Sequence, residues 1–141
     1  LGKLRYCEWW NWQESERQVI QRFFRAAWNC ALTAEPTEWS GIEVEDLLCG
    51  IALADNDVAA YLTKWQSMRT EDVGLHLASF VANTDFAKAN QRPSDYWNDC
   101  PESFAAVSNW IRSEAVKTRL RDVAERHPEC GFAERAYLSL P

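Results

Sequence analysis

Apolar side chains recur at three- and four-residue intervals along nearly the whole chain, and no stretch alternates apolar with polar residues for long. That spacing gathers apolar groups on one stripe of an α-helix, whereas a half-buried strand needs a period of two. The clearest case runs from Gln13 to Thr33, where Val19, Ile20, Phe23, Phe24, Ala27, Trp28, Ala31 and Leu32 share a stripe. Asn11 with Glu14 three residues on reads as its capping box.

Pro36 ends this helix, and Ser40 with Glu43 opens a second that carries Val44, Leu47, Leu48, Ile51 and Ala52. Asp55-Asn56-Asp57 breaks the chain before a third helix with Val58, Tyr61, Leu62 and Trp65. So short a joint predicts that the second and third helices are antiparallel neighbours, a helical hairpin. Thr70 caps a fourth, with Glu71 and Asp72 at its positive end and Val73, Leu77, Phe80 and Val81 inward.

From Asn83 to Asp99 the period weakens; Phe86, Tyr96 and Trp97 are the large apolar residues, and Pro93 blocks a continuous helix. A short helical turn followed by a packed loop is expected there. Pro101 suits the first turn of a fifth helix with Phe104, Val107, Trp110 and Ile111. Ser113 caps a sixth, with Val116, Leu120, Val123 and Ala124 inside, which ends before His127-Pro128. A last short helix carries Phe132, Ala136, Tyr137 and Leu140. Each apolar stripe needs another helix to cover it. The pattern therefore predicts an all-α single domain over residues 1–141. It is a bundle or a stack of antiparallel helical hairpins with about six or seven helices.

With 141 residues the chain can bury a core without staples. Its net charge of −6 is spread evenly, with 7 basic and 10 acidic residues in 1–70 and 8 and 11 in 71–141. Without a basic cluster to neutralise phosphates, nucleic acid is not an expected partner. The longest apolar run, Leu47 to Ala54, is far too short to span a bilayer, so no membrane is expected either. Five cysteines, an odd number with no C-x-x-C pair, read as reduced thiols of a cytoplasmic protein, with Cys30 and Cys49 on apolar helical faces.

Short catalytic signatures are absent: no G-x-S-x-G, no G-x-G-x-x-G, no G-x-x-x-x-G-K, no H-E-x-x-H and no Glu three residues before either histidine. No catalytic residue, metal or cofactor is assigned, and the balance leans away from an enzyme. Asp72 and His76, four apart on one helical face, are pocket candidates able to share a proton, although a dipole-serving Asp beside a partly buried His explains them without chemistry and is the better reading. Cys49, beside Gly50, is a third pocket candidate, with a buried structural thiol as its plainer reading.

Eight tryptophans are the oddest feature. Trp9, Trp10 and Trp12 crowd with Tyr6 ahead of the first helix and are interaction candidates, because exposed Trp and Tyr offer large contact area with a polar handle. The favoured reading is the plainer one, in which residues 1–12 form an aromatic lid over the bundle end. Trp28, Trp39, Trp65, Trp97 and Trp110 fall mostly on core stripes. The basic-free stretch between Arg25 and Lys64 holds Glu35, Glu38, Glu43, Glu45, Asp46, Asp55 and Asp57, a solvated face or a receiver of a basic partner. The sixth helix has a basic side, Arg112, Lys117, Arg119, Arg121 and Arg126, expected to pair with acidic neighbours within the molecule or across a dimer.

The segments Leu47-Leu48-Cys49-Gly50-Ile51-Ala52-Leu53-Ala54, Leu75-His76-Leu77-Ala78-Ser79-Phe80-Val81 and Trp110 to Leu120 resemble helical proteins of bacterial genomes to which no function is assigned. The likeness covers roughly the latter two-thirds of the chain and implies a helical fold without an activity. Two readings of function follow: a non-enzymatic interaction or scaffold module holding a protein partner or a second copy, or a small-molecule binder or enzyme with an interhelical pocket.

Overall fold

A computed structural model describes residues 12–55, 57–87 and 97–141. Among them are seven α-helices and no strand. The helices are α1 (Glu14–Thr33), α2 (Ser40–Asp55), α3 (Val58–Ser67), α4 (Glu71–Asn83), α5 (Pro101–Ile111), α6 (Glu114–Arg126) and α7 (Gly131–Leu138), with a 3-10 turn at Asp85–Ala87. Tyr6, Trp9, Trp10 and most of the expected lid lie outside the described residues. None of the described helices is long and apolar enough to cross a membrane.

The centre of the bundle is α4, which buries every residue from Val73 to Val81 except Leu75. It packs against α1, α2, α6 and α7. A helix enclosed on all sides needs small residues where neighbours come close, and Gly74, Ala78 and Ser79 supply them. The closest approach is at α2, where a Cβ on Gly41 would stand 2.4 Å from the Cα of Phe80. The Gly41 N–H donates to Ser79 Oγ at 2.8 Å, and that hydroxyl donates to the Glu38 carbonyl at 2.7 Å. Glycine and serine thus satisfy buried backbone groups that the tight crossing would otherwise strand.

Rings run through the core as a chain. Trp28 meets Trp65 edge-on with centroids 5.3 Å apart, Trp65 meets Phe80 at 5.5 Å, Phe80 stacks on Phe86 at 5.5 Å, and Phe86 meets Trp97 at 5.2 Å. This joins α1, α3, α4 and the segment before α5 through geometries that aromatic quadrupoles favour.

Several expectations are corrected. The cap of α1 is Gln13, whose backbone N–H donates to Glu16 Oε2 at 2.7 Å, so the helix starts later than the Asn11 reading placed it. Its buried row is the four-spaced set Phe24, Trp28 and Leu32, while Val19 is 59% and Phe23 46% exposed. The reason is geometric: α1 packs on α2 and, less extensively, α4, which covers a narrower stripe than the sequence offers. Cys30 is exposed for the same reason. Trp39 is 63% exposed because it sits in the turn before α2 rather than on its buried face. Although α2 and α3 touch, α3 packs chiefly on α5 and α2 on α4 and α1, so these two helices are not each other's main packing partners.

Candidate functional site

The turn Met68–Thr70 between α3 and α4 faces the middle of α6, and between them lies a groove with two lobes. The first, about 370 Å³, is walled by Trp65, Leu77, Trp110 and Val116, with Gln66 and Arg69 at its edge. The second, about 400 Å³, is lined by Thr70, Glu71, Gly74, Asp122, Val123, Arg126 and His127. Arg69, Ala115, Thr118 and Arg119 border both. These volumes match small-molecule sites, which run from about 300 to 1,000 Å³.

Arg119 is the hinge between the lobes. A Cβ on Gly74 would lie 2.8 Å from Val123 Cγ2 and 3.8 Å from Arg119 Nε, so the absent side chain lets α6 close on α4 with the arginine laid across it. Arg119 Nη2 donates to the Thr70 carbonyl at 3.4 Å, while its Nη1 is buried without a hydrogen-bond partner. Burial first, then repulsion from Arg69, pulls its pKa below the ordinary arginine value; Asp122 opposes this. Arg69 itself has no ion-pair partner among the described residues. Both arginines lie beside the N-terminal turn of α4, whose free N–H groups add positive potential.

Carboxylates also line the groove: Glu114 in the first lobe, and Glu71 and Asp122 in the second, the latter two engaged with side chains of that same lobe. Asp122 pairs with Arg126 at 3.1 Å, and Glu71 lies 3.8 Å from His127 Nε2. His127, at the end of α6 as expected, directs Nδ1 to Glu129 Oε1 at 3.2 Å, leaving Nε2 buried and without a hydrogen bond. In the first lobe Trp110 Nε1 donates to Gln66 Oε1 at 3.1 Å, and the Trp65 and Trp110 rings stand 5.2 Å apart. The first lobe thus has an aromatic wall, and the boundary between the two lobes carries the cationic donors of Arg69 and Arg119.

The pocket candidates read from sequence lie elsewhere, and none lines these lobes. Cys49 is buried in α2. Asp72 is exposed on the first turn of α4. His76 points away from it, with Nε2 bonded to the Ala34 carbonyl at 2.9 Å and Nδ1 buried without a partner. The structure therefore does not join Asp72 and His76 as a proton-sharing pair. Trp12, the described member of the aromatic group, is half-buried, and its carbonyl accepts from Arg17 Nε at 3.4 Å. Arg119 belongs to the basic side of α6, where Arg126 pairs with Asp122 as expected, but among the described residues no carboxylate forms an ion pair with Arg119. Among the described residues no three His, Cys, Asp or Glu side chains gather as a metal site.

No protein-family model, curated protein or solved structure matches this chain.

Proposed function

We propose that the bundle binds a small molecule with a flat apolar body and one anionic group, a carboxylate or a phosphate, in the two-lobed groove. The observation that carries this reading is Arg119, a guanidinium with one buried nitrogen that lacks a hydrogen-bond partner, beside Arg69, which forms no ion pair among the described residues. Leaving a buried donor unmade costs about 1–3 kcal/mol, which an arriving oxyanion returns through a charge-assisted hydrogen bond. The ring of the ligand rests against Trp110 and Val116, and its anion lies between Arg69 and Arg119. Nothing in the lining forms a nucleophile and base pair, which favours binding over turnover. None of the four described cysteines is in a disulfide, in keeping with a reducing compartment such as the cytoplasm.

The test is titration with benzoate and phenyl phosphate, followed by tryptophan fluorescence and calorimetry. Binding that Arg119→Gln weakens about tenfold, the equivalent of about 1.4 kcal/mol, bears the reading out. Absence of binding, or binding indifferent to both Arg119→Gln and Arg69→Gln, overturns it.

A second reading rests on Trp39 and Ile42, 63% and 44% exposed and one turn apart at the start of α2. Exposed aromatics of this kind favour an interaction module joining two copies of the chain. Analytical ultracentrifugation over a wide concentration range decides it: a dimer abolished by Trp39→Ser supports the module, and a monomer throughout removes it.

A further inference from the structure

Cys49 lies in the middle of α2 and Cys100 caps the N-terminus of α5, far apart in sequence. The fold brings them together: the Cys49 thiol hydrogen-bonds to the Cys100 sulfur. A second contact one turn earlier holds the same register, since Trp97 Nε1 donates to Glu45 Oε1 at 3.3 Å and the Cys100 N–H donates to the Trp97 carbonyl at 3.0 Å. Residues 45 and 49 of α2 therefore face residues 97 and 100, with the bulky Trp97 fully buried between α2 and Phe86. Two thiols are thus brought together in the core, where one apolar residue would fill the space at lower polar cost.

We propose that Cys49 and Cys100 form an oxidisable dithiol, a modification site that closes to a disulfide between α2 and α5 when the protein meets a peroxide. The inference is independent of the groove, which neither cysteine lines. Cys100 is the attacking sulfur. It is 8% exposed against 1% for Cys49, so a small oxidant reaches it first. The hydrogen bond from Cys49 favours its thiolate and outweighs burial and the Asp99 charge, which act the other way; the Cys100 thiol is accordingly more acidic than an ordinary one. The thiolate attacks one peroxide oxygen, the O–O bond breaks, and the released hydroxide takes up a proton to leave as water. Cys100 is then a sulfenic acid. The Cys49 sulfur attacks it, the S–O bond breaks, the thiol proton joins the departing hydroxyl, and a second water leaves with the S–S bond formed. Two electrons have passed from the sulfur pair to the peroxide, which is fully reduced.

The experiment treats the folded full chain with hydrogen peroxide, blocks remaining thiols with iodoacetamide and maps peptides by mass. Wild type and a variant with Cys7, Cys30 and Cys130 all changed to Ser are run in parallel. The expected result in both is a cross-linked peptide pair containing Cys49 and Cys100, lighter by two hydrogen atoms and restored by dithiothreitol. In Cys49→Ala the cross-link disappears and Cys100 is instead captured by dimedone, the trap for sulfenic acids. The proposal is overturned if the folded wild type shows no such pair while exposed Cys30 oxidises. It is also overturned if Cys49 and Cys100 are both recovered as unmodified thiols after the peroxide is consumed. Because the wild type decides the matter by itself, a poorly folded variant does not rescue the idea.

Discussion

His76 Nε2 and the Ala34 carbonyl oxygen stand 2.9 Å apart, tying the middle of α4 to the chain just past α1. A carbonyl only accepts, so Nε2 carries a proton and donates it to that oxygen. The ring is 2% exposed, and its removal leaves both a cavity and an acceptor without its donor. His76→Ala is expected to lower stability by about 2–4 kcal/mol, and His76→Gln, which keeps a donor on a side chain of related reach, by distinctly less. Urea unfolding followed by circular dichroism ranks the two, and equal losses would show the hydrogen bond to be irrelevant.

Gly41 is expected to resist even the smallest side chain. The Cβ of alanine would meet the Phe80 and Ser79 backbone, which cannot swing aside as the end of a flexible side chain can. Gly41→Ala should therefore cost about 3 kcal/mol or more despite the better helix propensity of alanine. A urea midpoint equal to wild type would mean that α2 and α4 separate freely at this crossing.

Arg119 predicts an opposition between stability and binding. Arg119→Met keeps the aliphatic stem packed against α4 and removes the buried unpaired donor together with its repulsion by Arg69. The ligand-free variant should be as stable as wild type or more so, by about 0.5–1 kcal/mol, while losing the anionic ligand. Thermal melts with and without phenyl phosphate separate the two effects. A variant that is clearly destabilised without ligand would make Arg119 a structural residue.

Glu129 sets a dependence on acid. Its own backbone N–H and then the hydrogen bond with His127 hold its carboxyl below the ordinary value of 4.5, with Cys130 also contributing. A depressed carboxylate pKa means that the unfolded chain takes up the proton more readily. The contribution is therefore present above the unfolded value and is lost as pH falls through the folded one. The gap in urea midpoint between wild type and Glu129→Gln should shrink as pH drops from about 6 to about 3. A gap that widens toward acid would reverse the sign argued here.

Tryptophans separate by burial. Trp28 is fully enclosed in the ring chain, so Trp28→Ala should cost about 3–5 kcal/mol, whereas Trp39→Ala should stay within about 0.5 kcal/mol of wild type. Acrylamide quenching checks the same distinction without denaturant, since loss of Trp39 should remove a readily quenched component.

Helix existence was legible because local spacing alone decides it: Val58, Tyr61, Leu62 and Trp65 are all buried in α3 as their positions require. Asp57 and Ser113 cap their helices through side-chain oxygens, and Pro101 opens α5 where its missing N–H does no harm. What periodicity does not encode is which stripe meets which. Val19 and Phe23 have the right spacing for burial but lie outside the strip that α2 and α4 cover. The groove was hidden for the same reason. Arg69 and Arg119 come together only through the closeness of α4 and α6 at Gly74, and the lack of a carboxylate partner for Arg119 is a property of three-dimensional placement. Cys49 and Cys100 are likewise neighbours only in the folded chain.

The enclosure of α4 has one more consequence. Past its first turn, a helix that shares its flanks with four others has no private route to solvent, so its amide protons from His76 to Val81 should exchange with deuterium only when the entire bundle comes apart. The groove opens on the first turn of that same helix. A ligand seated there grips the element whose release defines global opening, and it should slow exchange throughout the molecule rather than in a patch around itself.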